Sequence, residues 1–193
     1  GADASVERVE GSSSGSGRVD VASIRREQIT TCVRKLIVRS GLGAVTISNI
    51  AAELGTSRGV VSYHFPNKDE ILHEALQAAI REASLLSVKA ARQELAAVDL
   101  IRNVARLGHG QDWWPIYVAF LAKASVENFY REEIAAADAV YRSHLERTFG
   151  SSSRAVVVLA LMKGLALQLI VDENLELEGA LAELEDKLSS WTA

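Results

Sequence analysis

Only two prolines, Pro66 and Pro115, punctuate 193 residues, so almost the whole chain lacks the residue that most strongly ends a helix. Alanine and leucine are abundant, and apolar positions recur at spacings of three and four. That pattern points to an all-α protein of about eight to nine helices. An apolar fraction of 48% is enough for a packed core and excludes global disorder.

The expected helices run over 23–40, from just after Thr46, over 57–64, and from about 67 to the low 90s. Further helices are expected over 98–107, 112–130, 132–149, 154–171 and 175–191. Residues 11–17 are only glycine and serine, so residues 1–20 are expected to be a disordered tail. Residues 21–68 then form a three-helix head, and 69–193 a helical body. No apolar run approaches the roughly 20 residues that span a bilayer. The start of the chain has no signal-peptide apolar stretch. The single cysteine, Cys32, cannot form an intrachain disulfide and sits in an apolar helical pattern as a buried thiol. A reducing, cytoplasmic location is the expectation.

The formal net charge of −4 looks wrong for a protein that meets a polyanion, but its distribution does not. Residues 21–68 hold seven Lys/Arg (Arg25, Arg26, Arg34, Lys35, Arg39, Arg58, Lys68) against two acids, Glu27 and Glu53. Residues 69–193 hold 12 basic and 19 acidic residues. A basic head on an acidic body suggests that only the head touches nucleic acid.

The head carries a specific motif. Ile47, Ile50, Ala51 and Leu54 form the inner face of a short helix behind Thr46, a good N-cap residue. Gly55 supplies a turn, and Ser57 caps a second short helix that ends at Phe65-Pro66. This is a helix-turn-helix, whose second helix enters the major groove of DNA. Helical spacing puts Val61 and Phe65 on the inner face of that second helix. Gly59 and Tyr63 lie opposite, flanked by Val60 and Ser62, with Arg58 and His64 at the edges. Arg58 is the candidate for guanine and Val60 for a thymine methyl, while Gly59 allows close approach. Ser62, Tyr63, His64 and Lys68 suit phosphate oxygens, as do Thr46, Ser48, Thr56 and Ser57 at helix starts. A helical hairpin with glycine at its turn also serves as plain scaffold; the confined basic charge favours the DNA reading.

Residues from about 24 to 72 resemble the TetR-family DNA-binding domain. The resemblance rests on Ile50-Ala51-Ala52-Glu53-Leu54-Gly55-Thr56-Ser57, then Ser62-Tyr63-His64-Phe65, then Lys68-Asp69-Glu70-Ile71-Leu72. The family usually has tyrosine where this chain has Ser62, which shortens or removes a phosphate contact there. The body resembles the BetI-type branch in residues 160–167, followed by Asp172 and a leucine-rich last helix. The resemblance implies a homodimer on a palindromic operator, with the last two helices of each subunit forming a four-helix bundle. It also implies a repressor released by a small-molecule effector, with the helix after Lys68 linking body to head.

The dimer candidates follow from that. Residues 156–170 are apolar nearly all round, and Gly164 permits close helix approach. Val157, Leu161, Gly164 and Leu165 are candidates there. Leu177, Leu181, Leu184 and Leu188 recur at four and three, as a helix–helix seam requires. The same seam also fits a core helix of a monomer. For an effector pocket, aromatics cluster at Trp113, Trp114, Tyr117, Phe120, Phe129, Tyr130 and Tyr141. His109, Asn128, His144 and Gln168 are candidate polar anchors. Aromatics at helical spacing also make an ordinary core.

Catalysis is not expected. The chain has no G-x-S-x-G, P-loop, H-E-x-x-H or paired-cysteine motif, and His64, His73, His109 and His144 are scattered. No cofactor, metal or membrane partner is expected. The rival reading is a helical ligand-binding or protein-interaction module without specific DNA binding. The salt dependence of duplex binding separates the two.

Overall fold

The computed structural model describes residues 16–107 and 112–191. Among the described residues there are nine α-helices, one 3-10 turn and no strand. In chain order they are α1 Ser16–Ser40, α2 Ile47–Leu54, α3 Arg58–His64, α4 Lys68–Ala91 and α5 Ala97–Leu107. Then come α6 Trp113–Ala124, α7 Asn128–Phe149, α8 Ser152–Val171 and α9 Glu178–Ser189. Helix α1 starts at Ser16, so the expected tail is helical over its last five residues; residues 1–15 lie outside the described residues.

The head packs as its apolar spacing requires. Ile29, Val33, Leu36 and Ile37 of α1 are buried with Ile50, Ala51, Val61 and Phe65. Gly55 caps α2 at a φ of 63°, a left-handed conformation that a side chain would disfavour. Three helix starts carry side-chain caps. Thr46 accepts from the Asn49 N–H at 3.0 Å, Ser57 from Val60 at 3.3 Å, and Asn67 from Glu70 at 3.0 Å. Helix α4 packs on α1 in the head and on α6 and α7 in the body, so it belongs to both.

Two helix boundaries differ from expectation. The break expected near residue 131 falls at 125–127, so Phe129 and Tyr130 belong to α7. Arg131 stabilises that break by donating to the Ala124 and Ser125 carbonyls, at 3.1 and 3.3 Å, at the open end of α6. The last helix is shorter than expected, at 12 residues.

Helix α8 also departs from expectation. It is 20 residues long and, by length and composition, apolar enough to cross a bilayer, whereas no run of that size was expected. Two different demands explain its apolarity. Ala155, Val158, Leu159, Met162 and Ala166 face inward and pack on α5, α6 and α7. Val156, Val157, Leu167 and Val171 lie on an exposed face. Gly164 has open space around its Cα, and Gln168 is exposed on the same helix.

The leucine seam of α9 turns inward. Leu177, Leu181 and Leu188 are at most 2% exposed, and α9 packs on α5 of its own chain. Arg102 of α5 reinforces this contact with two 2.8 Å hydrogen bonds to the Glu178 carboxylate. These three leucines are therefore core residues rather than free interface positions; Leu184 is only half-buried. Replacing Leu181 with alanine is expected to lower stability by about 3 kcal/mol through lost burial and the cavity left behind. Urea unfolding measures this, and a change below about 1 kcal/mol would contradict the inward packing.

Candidate DNA interface and effector cavity

The second helix of the motif, α3, divides as its spacing predicts. Val61 is fully buried and Phe65, its cap, is 1% exposed. Tyr63 is 82% exposed, and its ring meets that of His64 edge-on, at 5.1 Å between centroids. Arg58, Gly59 and Ser62 are exposed, while Val60 and His64 are half-buried. Thr46, Ser48, Ser57 and Lys68 are exposed around them, and Thr56 is half-buried. Two of these hydroxyls, on Thr46 and Ser57, already accept a backbone N–H. Each keeps its own proton to donate.

The positive charge of the head is less free than its count implies. Arg26 pairs with Glu74, Arg34 with Glu82 at 2.5 Å, and Arg39 with Glu53. Glu74 and Glu82 belong to α4, outside the basic 21–68 head. Among the described residues, none of the head's ion pairs uses Arg58 or Lys68. Both are exposed to solvent. Arg26 has a further contact: its Nη1 donates to the His64 carbonyl at 2.6 Å. Sequence spacing gives no sign of this, because the partners are 38 residues apart.

In the body, α4, α6, α7 and α8 line a half-open cavity of about 150 Å³. Trp113, Trp114, Tyr117 and Tyr141 supply its aromatic wall, with Asp138, His144 and Lys163 as polar groups. The Trp114 indole N–H donates to the Val104 carbonyl at 2.7 Å, which fixes that ring edge-on to Tyr117. Lys163 lies 2.6 Å from Asp138, with its ammonium 4.9 Å from the Tyr117 ring centroid. Burial opposes its charge, but the hydrogen bonds its ammonium donates to Asp138 and Tyr117 outweigh that and raise its pKa. Burial also pushes the Tyr141 phenol well above its ordinary value, so the cavity wall stays neutral there.

Five of the eleven candidate pocket residues fall elsewhere. Phe120 is fully buried and stacks on Tyr130, with centroids 5.6 Å apart. Phe129 stacks on His73 at 3.6 Å. Asn128 accepts from Arg131 at 2.9 Å at the start of α7. Gln168 is exposed on α8. None of these four lines the cavity, and neither does Tyr130; His109 lies outside the described residues. Asp138 and Lys163 were not anticipated. The one available signal was a lone lysine inside an apolar helix, which needs a buried partner.

Residues 33–75 match the family model for bacterial regulatory proteins of the tetR family. Over 67 residues the chain is 33% identical to the HTH-type transcriptional regulator BetI of Vibrio campbellii, covering 35% of this chain and 34% of that protein. The match thus spans about a third of the length of such curated relatives. Solved structures extend the likeness in fold. A transcriptional regulator from Saccharomonospora viridis, in complex with choline, has a TM-score of 0.68 at 24% identity, covering 87% of this chain and 95% of that one. A transcriptional regulator from Rhodococcus sp. Rha1 has a TM-score of 0.72 at 23% identity, covering 86% and 97%. At such identities these two speak for the fold alone. The capped helix-turn-helix and the family match over it agree: residues 33–75 of this chain are similar to the DNA-binding head of bacterial regulatory proteins of the tetR family, carried on an all-helical fold shared with solved transcriptional regulators.

Proposed function

We propose that this chain is a cytoplasmic transcriptional repressor that binds a palindromic operator as a homodimer and is released by a small-molecule effector. The observation that carries this reading is α3. One face is anchored by Val61 and Phe65, and the other presents Arg58, Gly59, Ser62 and Tyr63 to solvent beside the exposed Lys68. An anchored short helix with an exposed polar and basic face suits the major groove. In this reading residues 21–68 are the DNA head and 69–193 the effector and dimer body, joined by α4.

The apolar stripe of α8, with Val156, Val157, Gly164 and Leu167, supports the dimer. An exposed stripe of this kind is poorly solvated, and a two-fold operator needs a two-fold protein. The cavity supports an effector with an apolar or aromatic body and one polar group that engages Asp138 or Lys163. Ile80, Ser84 and Val88 of α4 line that cavity, so an effector that favours one position of α4 shifts operator affinity through the same helix.

The test is selection of binding fragments from randomised duplex DNA with the purified protein. The expected result is an inverted repeat whose half-sites lie about 10 bp apart or a multiple of that, as two recognition helices on one face of the duplex require. No enriched repeat at any salt concentration would favour a ligand-binding or interaction module that does not read DNA.

A further inference from the structure

Arg26 sits where three helices meet. Its Nη1 donates to the His64 carbonyl at 2.6 Å, and its Nη2 pairs with the Glu74 carboxylate. The guanidinium also lies over the Phe65 ring, 4.2 Å from the centroid. His64 closes α3, so its carbonyl is among those that a helix end leaves without a partner. Glu74 lies in the second turn of α4. A rigid guanidinium fork serves two acceptors in fixed directions, which a lysine ammonium does not.

Eight residues further along both helices, Arg34 and Glu82 repeat the link between α1 and α4. That second link does not reach α3. The two ion pairs therefore form a matched set: both join α1 to α4, and one also holds the end of the recognition helix.

We propose that Arg26 is a positioning residue for DNA recognition, clamping the C-terminal end of α3 to α4 without touching DNA itself. This rests on the DNA-binding reading above. It assigns Arg26 a role opposite to that of a basic residue on a DNA-facing surface. Its charge is spent inside the protein, and its geometry sets where Tyr63 and Arg58 stand.

Glu74→Ala separates the two roles by sign. Removing an acid makes the head more positive, so electrostatics alone predicts tighter DNA binding. Loss of the clamp predicts weaker binding, by about tenfold for one charge-assisted hydrogen bond. The experiment measures affinity for a duplex selected by the parent protein, over a range of salt, for Glu74→Ala, Arg26→Met, the double variant and Glu82→Ala. The expected result is about tenfold weaker binding for both clamp variants and no further loss in the double variant. The salt slope should match the parent's, and Glu82→Ala should bind within about twofold of the parent. Circular dichroism and thermal melting confirm that each variant is folded.

Glu74→Ala binding as tightly as the parent, or tighter, overturns the proposal. So does a salt slope for Arg26→Met that falls by about 0.9 per half-site, since Arg26 would then be a phosphate contact. A parent protein that selects no duplex removes the DNA reading and this inference together. A parent that binds with unaffected variants removes only the role of Arg26.

Discussion

Alanine at both Tyr63 and Lys68 is expected to weaken operator binding by about a hundredfold and leave the fold intact. Tyr63 is 82% exposed with its ring edge-on to His64, so little internal packing is lost. Lys68 occupies the first turn of α4, where its positive charge opposes the helix dipole. A cation there works against the helix, so alanine should be neutral or slightly stabilising in the free protein. A two-fold dimer loses each contact twice, and four contacts at about 0.7 kcal/mol net, the low end for a hydrogen bond, give that hundredfold. The salt dependence adds a second, independent readout. Losing one lysine–phosphate contact per half-site should lower the log–log slope by about 1.8 in total, while Tyr63→Ala alone should leave it unchanged. Fluorescence anisotropy with a selected duplex reads both. Parental affinity and slope in the double variant would mean that another surface meets the DNA.

The DNA head was the most legible part of the chain, because local chemistry specifies it. Thr46, Gly55, Ser57 and Asn67 mark helix ends through their own side chains or backbone, within three residues of where they act. Its electrostatics were less legible. Counting charge along 21–68 treats Arg26 and Arg34 as free, whereas acids on α4 take both. The break at 125–127 was misplaced because it contains neither glycine nor proline; Arg131 stabilises it from the next helix.

The body was harder for a related reason. Spacing identifies the face of a helix that is buried, but not what buries it. The seam through Leu177, Leu181 and Leu188 was real, yet its partner is α5 of the same chain. Trp113, Trp114 and Tyr117 line a cavity, while Phe120, with the same spacing and chemistry, packs in solid core. Only the paths of the other helices decide between those outcomes.

That reassignment moves the decisive test of assembly from α9 to α8. Val157→Glu is expected to raise the dimer dissociation constant by about a thousandfold or more, because an uncompensated buried charge costs about 3–5 kcal/mol and two-fold symmetry buries two. Val157 is 45% exposed in the single chain, so the glutamate reaches water when the protomer stands alone. Its stability should therefore stay close to the parent's, once the loss of dimer stabilisation is allowed for. Across a two-fold contact near Gly164, where helices can approach closely, the same side chain meets apolar surface and its own symmetry copy. Sedimentation should show a folded monomer, and operator affinity should fall with it, since one head reads only half a site. Leu181→Ala makes the opposite prediction, lowering stability without first separating the subunits. A Val157→Glu protein that sediments as the parental dimer would place the interface away from the exposed stripe of α8. The apolar residues there would then need another cover.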